Sequence, residues 1–280
     1  MRAAVVGASG QLGRALVERL GTRAVWFGGR EALDVRDAGA VAALFEQQKP
    51  DVVFNATAYN AVDAAETDPA EALAVNATGP RHLAWAARQH GARLVHVSTD
   101  YVFDGSSSRP YLEDDCPRPL NAYGASKLAG ELMVRASGCD HLVVRTSGVL
   151  GKGASRAKGG SFVERILAQA RAGKPLRVVA DQVFSPTYAP DLAAALVALV
   201  EAGKRGLFHV TNGGACSWHE LAQASVRAAG LGVDVETMSA AALARPAARP
   251  AYSVLANERY RAAGLPALRD WRETLPDLLA

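Results

Sequence analysis

Short apolar runs alternate along this chain with longer segments of helical period. Residues 3–6 (Ala-Ala-Val-Val) form a run without polar alternation that stops at Gly7. Residues 14–20 then place Ala15, Leu16, Val17 and Leu20 at helical spacing. The alternation predicts a strand over 24–27, a helix over 40–48, a strand over 51–55 and a long helix over 69–90, bent at Gly79-Pro80. A strand over 93–98, a helix over 122–136 and a strand over 141–146 follow. Strands that lack polar alternation and are separated by helices suit a parallel sheet covered on both faces. Right-handed crossovers then give an α/β fold with a doubly wound parallel sheet.

The period weakens beyond residue 150. Residues 152–160 are rich in Gly, Lys and Ser and are expected to form a mobile loop. A helix over 162–172, a strand over 176–179, a helix over 191–202, a strand over 207–210 and a helix over 218–229 come next. Residues 240–250 are low-complexity Ala, Arg and Pro, read as a helix followed by an extended segment. The longest apolar run, 192–200, covers nine residues, whereas a membrane span needs ~20. No membrane association is expected.

Composition narrows this picture only slightly. Hydrophobic residues make up 49% and charged residues 21% of the 280, which excludes a disordered or fibrous chain. The net charge of +3 is spread out, with no basic run of the kind that binds nucleic acid. Three cysteines (Cys116, Cys139, Cys216) lie far apart without a C-x-x-C, which fits a reducing compartment rather than a disulfide framework or thiolate metal site. The apolar run at 3–6 is too short for a secretory signal, and the expected location is the cytoplasm.

The first strand and first helix are joined by Gly7-Ala-Ser-Gly10-Gln-Leu-Gly13. Three physical demands call for glycine here: a sharp turn, close backbone approach to a pyrophosphate, and tight helix-on-strand packing. The helix N-terminus adds unpaired N–H groups and a positive dipole end. Gly7 and Gly10 are therefore candidate cofactor-binding positions in a Rossmann-like fold. The second strand ends in Gly28-Gly29-Arg30. An acidic residue at such a point would hold the ribose of NAD, whereas Arg30 suits a 2′-phosphate. The expected cofactor is NADPH, with NADH as the alternative, and Asp34-Val35 is expected to flank the adenine. Ala56-Thr57-Ala58 closes the third strand with small residues that leave room for a flat cofactor.

The fourth strand ends in Ser98-Thr99-Asp100-Tyr101, and Tyr123-Gly-Ala-Ser-Lys127 opens a helix. Residues at i and i+4 share a helix face, so Lys127 is expected beside the Tyr123 phenol. A free phenol with pKa near ~10 shuttles protons poorly at neutral pH. A neighbouring ammonium would lower that value. With the Thr99 hydroxyl near the substrate oxygen, the three would form a general acid/base site for carbonyl–alcohol interconversion. Other chemistries lack their signatures. The six histidines show no H-x-x-x-H, so no metal is expected, and neither a G-x-S-x-G elbow nor a G-x-x-x-x-G-K-[ST] loop occurs.

Taken together, these segments resemble the extended short-chain dehydrogenase/reductase family, and within it the reductases of dTDP-4-dehydrorhamnose. The resembling stretches include G-A-S-G-Q-L-G (7–13), D-V-V-F-N-A-T-A-Y-N-A-V-D-A-A-E (51–66), V-N-A-T (75–78) and H-V-S-T-D-Y-V-F-D-G (96–105). P-L-N-A-Y-G-A-S-K-L-A-G-E (119–131), V-R-T-S (144–147), D-Q-V-F-S-P-T-Y-A-P-D-L-A (181–193) and R-P-A-Y-S-V-L (249–255) extend the likeness over nearly the whole chain.

The resemblance implies reduction of a dTDP-linked 4-keto sugar at C4 by NAD(P)H. It implies Tyr123 as proton donor, Lys127 as holder of cofactor and Tyr123, and Thr99 and Asp100 as substrate contacts. It also implies cofactor contacts at Gly10, Gln11 and Leu12 and at Ala56, Thr57 and Ala58. Residues 1–150 are expected to form a dinucleotide-binding unit, to which parts of 181–212 and 249–257 return, and 151–280 mainly a smaller substrate-binding α/β unit.

Two positions depart from the family. Gly148 stands where a Trp usually covers the substrate, and Ala15 where some members carry a Glu that bridges subunits through Mg²⁺. A monomer or homodimer without that metal is expected. Two alternatives stay open. One is a reductase or epimerase of another nucleotide sugar. The other is a non-catalytic NADP-binding subunit like the regulatory subunit of methionine adenosyltransferase.

Overall fold

The computed structural model describes residues 1–152 and 160–280. The mobile loop expected over 152–160 therefore falls largely on residues outside the described ones. Six strands form the central sheet: β1 (Ala3–Val6), β2 (Ala24–Gly28), β3 (Val52–Asn55), β4 (Arg93–Thr99), β5 (Asp140–Thr146) and β6 (Gly206–His209). Every pairing is parallel, in the order β2-β1-β3-β4-β5-β6. The chain moves outward from β1 first to one side, through β2, and then to the other, through β3. The crevice beyond the carboxyl ends of β1 and β3 is thus the switch point at which such sheets bind ligands.

Among the described residues, seven longer helices surround this sheet and its extension. They are α1 (Gln11–Leu20), α2 (Ala38–Gln48), α3 (Gly79–His90), α4 (Ala122–Ala136), α5 (Phe162–Arg171), α6 (Ala189–Glu201) and α7 (Trp218–Ala228). One core lies under α1 and α6, where Leu16, Leu192 and Leu196 meet Val5, Phe54 and Val144. The other lies under α2 and α3, where Val41, Phe45 and Leu83 meet Val6 and Val53. Strand β1 serves both, with Ala3 and Val5 in the first and Ala4 and Val6 in the second. This explains the missing polar alternation: neither face of the strand meets water.

The helix read over 69–90 is continuous but irregular. An α-helical start at Pro69–Leu73 widens into a π turn at Ala74–Thr78 before α3 begins. Pro80 has no N–H to offer the carbonyl of Asn76, four residues earlier, so the ladder widens rather than bends. The low-complexity stretch after 240 holds only a 3₁₀ turn at Ala240–Leu243, ended by Ala244 at φ +45°. The prolines that follow forbid a longer helix.

A third cluster (Leu150, Val163, Leu167, Leu176, Leu221, Trp271) joins α5 and α7 to a two-stranded parallel ladder of Leu176–Val179 with Val235–Met238. Two further pairs are only two residues long, Val183–Phe184 with Cys216–Ser217 and Val149–Leu150 with Thr187–Tyr188. No described helix is long and apolar enough to cross a membrane.

Candidate active site

A cleft of about 530 Å³ opens at the carboxyl ends of β1, β3, β4 and β5. Its first wall is the N-terminus of α1. Gly10 caps this helix without a side-chain hydrogen bond, and no acidic residue occupies the first turn. The leading N–H groups therefore have no local anionic partner, which is the arrangement that receives a phosphate. Gly7 turns the chain at φ +87° and brings its own N–H and that of Ala8 onto the Gly28 carbonyl, each at 2.9 Å. Gly13 lets α1 settle on this turn, since a Cβ there would lie 2.2 Å from the Gly7 carbonyl oxygen. Gly10, Gln11 and Leu12 all line the cleft, as do Ala56, Thr57 and Ala58 opposite them. Thr57 turns its hydroxyl inward, donating to Asn55 Oδ1 at 2.6 Å, and so leaves a smooth floor.

At the other end of the cleft stand Thr99, Asp100, Tyr123 and Lys127. Thr99 ends β4, and Asn121 caps α4 by accepting from Gly124 N at 2.7 Å. Gly124 allows that helix to press on the Tyr101 backbone, because a Cβ would meet the Tyr101 oxygen at 2.2 Å. Tyr123 thereby sits in the first turn of α4, edge-on to Tyr101 at 5.9 Å. Ser126 donates to the Tyr123 carbonyl at 2.7 Å and accepts from Asn76 Nδ2 at 2.9 Å. Asn76 also receives Tyr59 N at 2.8 Å, so one amide on the π turn ties the loop after β3 to the helix carrying Tyr123.

The electrostatics differ from the sequence expectation in two respects. Burial pushes the Tyr123 phenol up to about 12, with Asp100 adding to the rise and Thr99 opposing it. Lys127, expected to make that phenol more acidic, instead donates to the Val97 carbonyl at 2.6 Å. Burial lowers its ammonium to about 8, partly offset by the Glu131 carboxylate. A buried ammonium must be hydrogen-bonded, and the β4 carbonyl is the partner it has found.

The second difference concerns Asp100. Its Oδ1 accepts from Thr99 at 3.0 Å, and its Oδ2 accepts from Ser147 at 2.8 Å and Ser253 at 2.6 Å. Asp100 lines the cleft, but its carboxylate is already enclosed by three hydroxyls. Thr99, having given its single proton to Asp100, faces its other neighbours as an acceptor, taking Tyr101 N at 3.2 Å.

Behind this wall lies a buried ion pair. Glu131 and Arg145 meet at 2.7 Å, 1% and 2% exposed at their side chains, and Ser98 donates to the same carboxylate at 2.5 Å. The segment 249–255 closes over the site from far along the chain. Arg249 forks onto Asp63 with two contacts of 2.7 Å, Asn121 Nδ2 reaches the Ala248 carbonyl at 2.7 Å, and Ser253 joins Asp100.

The loop after β2 stands apart from this cleft. Arg30 is 70% exposed at its side chain and lies 3.6 Å from Glu71. Asp34 is paired with Arg36, which holds its carboxyl down at about 2, and Arg36 continues to Glu71 at 2.8 Å. Val35 is buried against Gly79, where a Cβ would come within 2.5 Å of its side chain. These three residues flank the glycine turn but do not line the cleft with the others. Sequence reasoning missed Arg36, and it missed Phe162 and Trp218, which line the far side of the cleft. The aromatic residues carry no motif; their only sequence signal is that each follows a Ser that caps a helix.

The chain is similar over its whole length to known proteins. The family model described as "RmlD substrate binding domain" matches residues 1–280. A dTDP-4-dehydrorhamnose reductase of Streptomyces griseus is 44% identical over 98% of this chain and 91% of its own length. A probable dTDP-4,6-dihydroxy-2-methyloxan-3-one 4-ketoreductase of Streptomyces antibioticus is 43% identical over 100% of this chain and 96% of its own. The crystal structure of a dTDP-4-dehydrorhamnose reductase from Bacillus anthracis in complex with NADP superposes with a TM-score of 0.94 at 35% identity, covering 99% of this chain and 98% of that one.

Proposed function

The chain belongs to the RmlD substrate binding domain family, and on that premise we propose that it reduces the C4 keto group of dTDP-4-dehydrorhamnose with NADPH, giving dTDP-L-rhamnose. One observation carries the reading: a single cleft joins the N-terminus of α1, which has no side-chain cap, to Thr99, Tyr123 and Lys127. The residues fit a dinucleotide, because the orphan N–H groups of α1 suit a pyrophosphate and the Ala56–Ala58 floor suits a flat ring. When bound, the reduced cofactor supplies hydride to the carbonyl carbon.

The chain's own groups supply the rest. Tyr123, held protonated by its buried position, donates a proton to the oxygen of the developing alkoxide. Thr99 stands beside the phenol at the end of β4, with its hydroxyl turned to Asp100. Lys127 would hold the ribose of the cofactor, and Arg30 would offer a partner to a 2′-phosphate at the edge of the sheet.

The test is NADPH oxidation with dTDP-, GDP- and UDP-linked 4-keto sugars. Fast turnover confined to the dTDP sugar supports the proposal. Tight NADP binding without turnover on any of them would instead mark a regulatory subunit. The relative named as a probable 4-ketoreductase of another dTDP sugar, together with Gly148, favours one second reading, a different 4-keto hexose on the same nucleotide.

A further inference from the structure

Gly148 adopts φ +49°, and a Cβ built on it would meet the Phe184 ring at 2.2 Å. The space beside Gly148 is thus filled by an aromatic ring from another segment. Phe184 stacks on Trp218 with centroids 4.1 Å apart and planes 29° apart, and Trp218 meets Phe162 edge-on at 4.8 Å.

The three rings are held firmly. Phe162 is the first residue of α5 and Trp218 the first of α7, and each helix begins with a complete Ser–Glu capping box. Phe184 lies on the short strand that pairs with Cys216. Phe184 is buried, whereas Trp218 is half-buried. Trp218 lines both the main cleft and a small adjoining cavity of about 20 Å³ bounded by Asp100, Tyr101 and Gly148. It therefore faces the end of the cleft where Asp100 and Tyr101 stand beside Thr99.

We infer that Trp218, backed by Phe184 and flanked by Phe162, is the surface on which the hexose ring of the substrate lies. The inference rests on the reductase reading and adds a specificity-determining residue to it. The physical reason is that an aromatic face carries negative quadrupole density and attracts the weakly positive C–H face of a pyranose. A deoxy sugar, with a methyl group at C6, presents more such surface than a fully hydroxylated one. Gly148 is required because any side chain there would displace Phe184 and tilt Trp218 away.

The experiment measures binding of dTDP and of dTDP-L-rhamnose to the NADP⁺-loaded protein by calorimetry, for wild type, Trp218→Leu and Trp218→Phe. Expected is a roughly tenfold loss of dTDP-L-rhamnose affinity in Trp218→Leu, with dTDP and NADPH binding within about twofold of wild type. Trp218→Phe should recover most of the loss. Unchanged sugar-nucleotide affinity in Trp218→Leu, or an equal loss for dTDP itself, would overturn the assignment. Gly148→Ala should weaken the sugar nucleotide in the same selective way; should it fail to fold, the two Trp218 variants still decide. A wild-type protein that turns over the keto sugar while Trp218→Leu matches its KM removes this inference alone. A wild-type protein that neither oxidises NADPH nor binds the sugar nucleotide removes the reductase reading, and the inference with it.

Discussion

A phenol and an ammonium one helical turn apart are set to opposite ends of their ranges by the same burial. Tyr123 sits at about 12 and Lys127 at about 8, so Tyr123 stays an acid through the neutral and alkaline range while Lys127 titrates within it. Tyr123→Phe should lower the reduction rate by about 10²–10⁴ with NADPH affinity unchanged. A loss below tenfold, ~1.4 kcal/mol of barrier, in stopped-flow NADPH oxidation would assign the acid elsewhere. Lys127 is charged below its pKa and neutral above it. The KM for NADPH should accordingly rise as pH passes about 8, and in Lys127→Met it should be high and flat across the same titration. At this scale i, i+4 spacing put Tyr123 and Lys127 on one helix lining one cleft, but the sequence did not show that the Lys127 ammonium binds the Val97 carbonyl. It could not show that Thr99 spends its proton on Asp100, since that depends on where a neighbouring carboxylate finds its other partners.

Helix α1 owes its position to Gly13, and α4 and β5 are locked by Glu131 and Arg145. Gly13→Val forces a side chain into a space where even a Cβ lies 2.2 Å from backbone oxygen. Overpacking of that kind costs about 1–3 kcal/mol. The helix should lift from the turn, with at least tenfold weaker NADPH binding and a lower midpoint in thermal unfolding. Glu131→Ala strands Arg145 in the interior without its carboxylate. Removing one partner of a buried pair costs about 3–5 kcal/mol, to be read from the urea midpoint. Most helices and sheet strands were legible from hydrophobic period to within a residue or two, and α4 was read over 122–136 as observed. The π turn escaped because a widened turn still repeats at nearly helical spacing; only the missing N–H of Pro80 hinted at it.

Across the whole molecule, the clasp between Asp63 and Arg249 ties the segment 249–255 to the chain after β3, beside the end of the cleft that holds Tyr123. Arg249→Gln should loosen that segment, making it a site of limited proteolysis and raising the KM for the sugar nucleotide more than that for NADPH. The clasp is also pH-dependent. Its hydrogen bonds to Arg249 hold the Asp63 carboxyl below the usual carboxylate value. The stabilisation is therefore complete above the ordinary carboxylate pKa and disappears as pH falls through the depressed one. Protease sensitivity of the wild-type segment should rise on acidification and, in Arg249→Gln, be high throughout.

What the chain declares by itself is whatever repeats or recurs at short range. The alternation of apolar runs and helices announces the doubly wound sheet, the glycine spacing announces the turn into α1, and the Tyr-x-x-x-Lys spacing places Tyr123 and Lys127 on one helix. Contacts between distant segments leave no period to read. Ser253 reaches Asp100 across 153 positions and Arg249 reaches Asp63 across 186. Phe162, Phe184 and Trp218 come from three separate elements to build one aromatic wall. Only folding decides such meetings, because they depend on how whole elements pack and not on any pattern within one of them.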